Sequence, residues 1–267
     1  MMLTKLFRLK YLFASNLVFV GWISCFLVSR VEADQSINTG QAPISLGQAP
    51  IYFINPKPPT NGTPDAPQGT GSRGDCLYKP KLPPLTPLVG YNNNSELTVS
   101  DYPTFWIYLP YTSEDAPSGE FSLQDEDGEY DLYLTSFNLP DQPGIVSITL
   151  PKTEKPLEVG QTYRWNLDIN CPSTELSNET TPASVTGLVN RVAQSPDLER
   201  ELNGAKTPLE RIAAYGKHHI WYDTLTELAK LRLQEPHNRT LESPWIQLLS
   251  DQKFETISKE NLLGNLQ

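Results

Sequence analysis

The chain has 267 residues, enough for one or two domains with a buried core. Its 21 basic and 31 acidic residues give a formal net charge of −10, which argues against a nucleic-acid-binding protein, because such proteins need clustered Lys and Arg. The hydrophobic content of 38% argues against a polytopic membrane protein, and only 16 glycines exclude a collagen-like repeat. The composition is that of an acidic, soluble chain with an unusual N-terminus.

The N-terminal 33 residues have the features of a secretory signal peptide. Three basic residues come first, namely Lys5, Arg8 and Lys10. A mostly apolar stretch at 11–28 follows, and Val31-Glu32-Ala33 places small residues where a signal peptidase needs them. We therefore expect cleavage after Ala33, export to the periplasm or the extracellular space, and no membrane span in the mature chain. An uncleaved anchor is the alternative, because the apolar stretch approaches the length of a short span.

Cleavage would also remove Cys25, which leaves Cys76 and Cys171 as the mature cysteines. In an oxidising compartment two cysteines most simply form one disulfide, and we predict the pair Cys76–Cys171. Two separate buried thiols are the alternative. Neither cysteine belongs to a C-x-x-C pair or has the spacing of a metal ligand, so the cysteines indicate no redox or zinc role.

Residues 34–75 are rich in proline and glycine and contain little that could form a core. A stretch of this composition is typical of an extended, semi-flexible linker. Its apolar cluster, Ile51–Ile54, is too short for a strand to be assigned.

Residues 76–193 show the period of two that is typical of β-strands. Thr162–Cys171 alternates apolar and polar side chains throughout, which predicts a strand with one buried face. Residues 146–150 show the same alternation. Phe105–Leu109 is apolar on both faces, which predicts a central or doubly covered strand.

A hairpin and a bulge are predicted between those strands. Asp127-Gly128 follows Phe121 and Leu123 and is a hairpin-turn signal. The apolar residues of the next segment change parity midway, which predicts a bulge or bend near Ser136; they are Leu132, Leu134, Phe137 and Leu139. Short strands with regular turn signals favour an antiparallel, immunoglobulin-like β-sandwich over 76–193.

Residues 194–267 show helical spacing instead. Three helices are predicted to begin at a hydroxyl residue followed by proline, at Ser195-Pro196, Thr207-Pro208 and Ser243-Pro244. Pro236 is predicted to end the second helix. Two short antiparallel helices resemble one tetratricopeptide unit, which cannot bury its own apolar face, so we expect this region to pack on the sandwich as a cap. The predicted fold class is α+β.

Several segments resemble one known family. They are Thr98–Tyr111, Phe121–Asp125, Pro143–Pro151, Leu157–Trp165 and Ile220–Leu225. Together they are similar to the exported cyanobacterial proteins catalogued as domain of unknown function 928, over roughly residues 70–250. The resemblance implies export and this architecture, and it implies no activity.

The residue types that carry chemistry form no catalytic or metal-binding pattern. Adjacent histidines on a helix point about 100° apart, so His218 and His219 do not converge on one ion, and His237 is isolated. Asp125, Asp127 and Glu129 resemble part of a calcium loop, but a solvated hairpin is the favoured interpretation; other EF-hand positions are missing. We therefore predict no catalytic residue, no metal ligand and no cofactor.

Three functions remain as hypotheses. The favoured one is a non-catalytic protein-interaction module of the cell envelope, with another envelope protein as its partner. A carbohydrate-binding module that binds a polysaccharide is the alternative, and it needs exposed, coplanar aromatic rings. The candidates for such rings are Trp106, Tyr108 and Tyr111. For these three residues, packing between the sheet and the helices is the favoured role. A hydrolase comes third, and it needs a pair of carboxyl groups with perturbed pKa values in a cleft.

Overall fold

A computed structural model describes residue 76 and residues 79–90, 97–172 and 183–266, and all of these belong to one compact unit. The predicted signal peptide, its cleavage site after Ala33 and the predicted linker at 34–75 lie outside the described residues.

The described residues form nine strands and four α-helices. The strands are β1 Thr86–Pro87, β2 Leu97–Thr98, β3 Thr104–Leu109, β4 Ser118–Asp125, β5 Asp131–Asn138, β6 Gly144–Thr149, β7 Thr162–Asn170, β8 Ala183–Arg191 and β9 Leu262–Asn265. The helices are α1 Pro196–Gly204, α2 Pro208–Lys217, α3 Trp221–Gln234 and α4 Glu242–Asp251, with a 3-10 helix at Arg239–Leu241.

The strands form two sheets in a sandwich-like, mixed α/β arrangement. One sheet has four strands in the order β1-β3-β6-β9, and the other has five in the order β2-β8-β7-β4-β5. Most pairs are antiparallel, as predicted, but β2–β8 and β6–β9 are parallel. A parallel pair needs a long connection between its strands. The helical region supplies that connection for β9, which the sequence pattern did not reveal as a strand.

The alternation in the sequence correctly predicted β7, whose residues are alternately buried and partly exposed. The prediction of a doubly covered β3 is also confirmed, since all six of its residues are buried. For β6 the expectation of one polar, exposed face was wrong at Ser147, which is buried. Ser147 pairs with Trp106, and this face of the sheet is covered by α3.

The capping signals predicted two of the three helix starts. The Ser195 hydroxyl accepts from the Leu198 amide, and the Thr207 hydroxyl accepts from the Glu210 amide, both at 3.2 Å. The third prediction was wrong, because Ser243 lies inside α4 and does not cap it. The Asn238 carboxamide caps the preceding 3-10 helix, so the chain turns helical before Ser243 is reached.

One buried cluster runs through both sheets and into the helices. The Trp221 indole of α3 donates to the Leu88 carbonyl at 2.8 Å. The Trp165 indole of β7 donates to the Tyr222 hydroxyl at 2.9 Å, and that hydroxyl donates to the Leu188 carbonyl at 2.7 Å. Helix α3 is therefore part of the same core as the strands.

A disulfide joins Cys76 to Cys171, whose Cα atoms are 5.1 Å apart. Both cysteines pack against the core, and the bond closes a loop across a sequence separation of 95 residues. Among the described helices, none has the length and hydrophobicity that crossing a bilayer requires.

Candidate functional site

The exposed apolar side chains are concentrated on β5 and the turn before it. The described residues expose five large apolar side chains, and three of them belong to this strand or its turn. The exposed fractions are 71% for Tyr130, 36% for Leu132, 53% for Leu134, 52% for Val159 and 39% for Leu233. Because contiguous exposed apolar residues are uncommon on a soluble monomer, β5 is the first candidate for a binding surface.

Leu132 and Leu134 face outward because they alternate with Tyr133, which faces inward, and a bulge interrupts the ladder at Leu132. Leu123 pairs with Tyr133 and Gln124 pairs with Asp131, so Leu132 is left without a partner in the ladder. After the bulge, Tyr133 packs against Phe121 on the inner face, with ring centroids 6.4 Å apart. The predicted bulge near Ser136 was therefore misplaced, and Leu134 faces solvent.

The hairpin between β4 and β5 is acidic, and the Asp125 carboxylate stabilises its turn. The Asp125 carboxylate accepts from the amides of Glu129, at 2.7 Å, and Tyr130, at 3.2 Å. Gly128 has a φ of +77°, which favours glycine at this turn position. The described residues contain no group of three or more His, Cys, Asp or Glu side chains that could hold a metal ion.

Apart from the leucines of β5, the outer face of the five-stranded sheet is polar, and several of its side chains bond to one another. The Asn166 amide donates to the Gln124 side chain at 2.9 Å, and the Gln124 amide donates to Asp131 at 2.8 Å. On the same face, burial raises the pKa of Asp168, against a hydrogen bond from Ser184 that lowers it. Much of the hydrogen-bonding capacity of this face is therefore already used.

The aromatic residues considered for sugar stacking do not form a surface. Trp106 is 2% exposed and Tyr108 is fully buried, while Tyr111 is partly buried. The Trp106 indole donates to the Thr226 hydroxyl of α3 at 3.0 Å. The packing role that the sequence favoured is confirmed for Trp106.

His218 and His219 are neighbours just after the end of α2, so the expectation from the sequence that they lie on a helix was wrong. His218 lies 3.5 Å from Glu201, and His219 has a positive φ of 63° just after α2. His237 is exposed on the loop that follows α3.

A small polar cleft lies where the first turn of α3 meets β2. Its volume is about 60 Å³, and its lining includes Asp223, Glu227 and Lys230. The Asp223 carboxylate accepts from the Thr98 hydroxyl at 2.7 Å and from the Val99 amide at 3.2 Å. These bonds tie the start of α3 to strand β2, so Asp223 has a structural role that its sequence position did not reveal.

The pKa of Asp223 is raised from 3.8 to about 6, mainly by burial and further by the negative charge of Glu227. The hydrogen bonds from Thr98 and Val99 lower this pKa but do not cancel the rise. Since the folded state holds this proton more tightly than the unfolded state, the contribution of Asp223 to stability is lost as the pH rises through 6. At about 1.4 kcal/mol per pH unit, the ionised carboxylate costs up to about 3 kcal/mol at neutral pH.

We expect Asp223→Asn to gain stability over the wild type as the pH rises, because the amide keeps an acceptor oxygen and cannot ionise. The free energy of unfolding of both proteins is measured with urea at pH 4.5 and at pH 7.5. The advantage of the variant should grow by about 2 kcal/mol between the two pH values, because part of the cost is already present at pH 4.5. An equal difference at both pH values would contradict this assignment.

Comparison with known proteins identifies the family to which the chain belongs. No curated protein matches the chain. The family model described as Domain of Unknown Function (DUF928) matches residues 68–262, a span that includes all four helices and strands β1 to β8 and ends at the first residue of β9. The chain therefore belongs to the DUF928 family, whose function is not known.

Proposed function

We propose that this protein is a non-catalytic protein-interaction module that binds an extended segment of a partner along β5. The observation that carries the proposal is the coincidence of a sheet edge with exposed apolar residues. Tyr130, Leu132 and Leu134, together with the edge that Asp131–Asn138 forms in the described sheet, are called the β5 edge surface below.

The backbone of β5 supports pairing with another strand. Within the described sheets, β5 pairs with β4 on one side and ends the five-stranded sheet on the other. It has eight residues, whereas the other sheet edges are formed by strands of two, two and four residues. A partner strand added here gains main-chain hydrogen bonds, and its alternate side chains would lie beside Leu134.

The charge around this surface favours a basic partner. Four acidic side chains in the hairpin and at the start of β5 are exposed, namely Glu126, Asp127, Glu129 and Asp131. An extended segment with alternating apolar and basic residues complements both the leucines and this charge. A second copy of the chain fits less well, because its hairpin and β5 carry the same acidic residues and no basic ones.

The test uses a synthetic eight-residue peptide of alternating Lys and Val, with a Glu/Val peptide of the same length for comparison. The Lys/Val peptide should bind the full chain more tightly, and amide NMR shifts should change along β5. Leu134→Lys should weaken this binding about tenfold or more, because it replaces an apolar contact by a repelling charge.

Val159→Lys is the matched control, since Val159 is 52% exposed and Leu134 is 53% exposed. The control should leave the affinity unchanged. Equal affinity for the two peptides, or shift changes confined to other strands, would refute the proposal. A concentration-dependent dimer that Leu134→Lys abolishes would identify a second copy as the occupant and would also refute the basic partner.

The two alternative functions have weaker support. For carbohydrate binding, Tyr130 is the one exposed aromatic ring among the large apolar residues of the described chain, whereas sugar stacking on a platform needs at least two. For a hydrolase, Asp223 and Glu227 do form a carboxyl pair in a cleft, but about 60 Å³ is the volume of roughly two water molecules.

We also propose export to the periplasm or the extracellular space, with an envelope protein as the partner. The signal-like N-terminus supports export, and the Cys76–Cys171 disulfide is compatible with an oxidising compartment. The immunoglobulin-like strand order and the resemblance of the helices to a tetratricopeptide unit stay predictions of the sequence.

A further inference from the structure

A second, larger cleft lies on the helical side of the molecule, where α3 ends and α4 begins. Its volume is about 500 Å³, within the range of small-molecule sites. The wall is formed by the end of α3, the loop after it, the 3-10 helix and the first residue of β9, Leu262. We call this space the α3–α4 cleft.

Two guanidinium groups line the α3–α4 cleft, those of Arg232 and Arg239. Within the part of the chain that the structure describes, neither Arg232 nor Arg239 forms an ion pair. Lys217 and Arg200, by contrast, each pair with an acidic residue. Two unpaired guanidinium groups on one cleft offer several donors to an oxyanion.

Arg232 is held in place by the protein. Its guanidinium carbon lies 4.8 Å from the centroid of the Trp245 ring, which is fully buried. Its Nη1 atom is buried without a hydrogen-bond partner, and burial lowers the pKa of this arginine, while the charge of Glu242 opposes the shift. The stacking limits how far the group can move, so its donors are already oriented before a ligand arrives.

The remaining lining indicates what else the ligand carries. Glu235 accepts from the Asn238 amide at 2.7 Å, and both Glu235 and Glu242 line the cleft as acceptors. Leu233, Pro236 and Leu262 contribute apolar surface, and Leu233 is 39% exposed. A ligand that satisfies all of these groups has an oxyanion, hydroxyl donors and carbon–hydrogen surface.

We propose that the α3–α4 cleft binds a small polyhydroxylated oxyanion, such as a sugar acid or a sugar phosphate. Arg239 and Arg232 take the oxyanion, the glutamates accept from the hydroxyl groups, and the ring lies against the apolar residues. The cleft lies on the helices, whereas the β5 edge surface belongs to the five-stranded sheet, so this proposal does not depend on the proposed function.

The test is a titration of the full chain with glucuronate, glucose 6-phosphate, glucose and inorganic phosphate, followed by amide NMR. Glucuronate or glucose 6-phosphate should bind, with shift changes at residues 232–242, and glucose should bind at least tenfold more weakly. Tighter binding of glucuronate than of glucose 6-phosphate identifies the oxyanion as a carboxylate, and the reverse order identifies it as a phosphate.

Arg239→Gln should weaken binding of the preferred ligand about tenfold or more, because a bidentate charge-assisted contact is lost. Arg200→Gln is the matched control, since Arg200 is an exposed arginine of α1, paired with Asp197 at 2.7 Å. Arg239 is also exposed, so neither variant should change the melting temperature appreciably. The proposal is overturned if glucose binds as well as both oxyanions, if no ligand binds, or if the two variants behave alike.

Discussion

Replacement of Cys76 and Cys171 by serine should produce the largest loss of stability in this protein. The bond between them closes a loop across a sequence separation of 95 residues, and without it the unfolded chain gains conformational freedom. In the chain-entropy model a loop of that length corresponds to roughly 4 to 5 kcal/mol. For a chain of this size the melting temperature should fall by about 10 °C or more.

The measurement is thermal unfolding of the oxidised wild type and of the double variant, each with and without reductant. Reductant should lower the melting temperature of the wild type towards that of the variant, and it should leave the variant unchanged. A double variant that melts with the oxidised wild type would show that the bridge contributes no stability.

Trp221→Ala should cause the second large loss, because this side chain joins α3 to the rest of the core. The indole is fully buried, and its N–H donates to the Leu88 carbonyl at 2.8 Å. Truncation removes the packing of the ring and leaves the buried carbonyl of Leu88 unpaired. We expect a fall of about 3 to 5 kcal/mol in the free energy of unfolding.

Leu233→Ala is the control for this prediction, since Leu233 is on the same helix and 39% exposed. Urea unfolding should place that variant within about 1 kcal/mol of the wild type. Trp221→Phe should fall between the two, because it keeps most of the apolar volume and loses the hydrogen bond. If Trp221→Ala and Leu233→Ala lose the same free energy, α3 is not held to the core as described.

The two proposed binding sites differ in how far the sequence predicts them. The acidic hairpin at Asp127-Gly128 is a local signal that can be read directly. The exposure of Leu134 follows from its alternation with Tyr133, whose ring packs against Phe121 on the inner face of the sheet. The sequence predicts the α3–α4 cleft even less, because the Arg232 guanidinium stacks on the ring of Trp245, which lies on another helix.

The sequence by itself determined the features that depend on near neighbours in the chain. The alternation along Thr162–Asn170, the double burial of Thr104–Leu109 and the side-chain caps at Ser195 and Thr207 all follow from residues a few positions apart. Periodicity and capping are local physics, so a single sequence displays them.

Only the tertiary structure decided which distant segments meet. Strand β9 pairs with β6 more than a hundred residues away, and Asp223 bonds to Thr98 across 125 residues. Gly187 is a further example, since a Cβ atom there would lie 2.6 Å from the Trp165 ring. These contacts are set by the packing of side chains between elements, which no local pattern encodes, and for that reason both proposed sites required the fold.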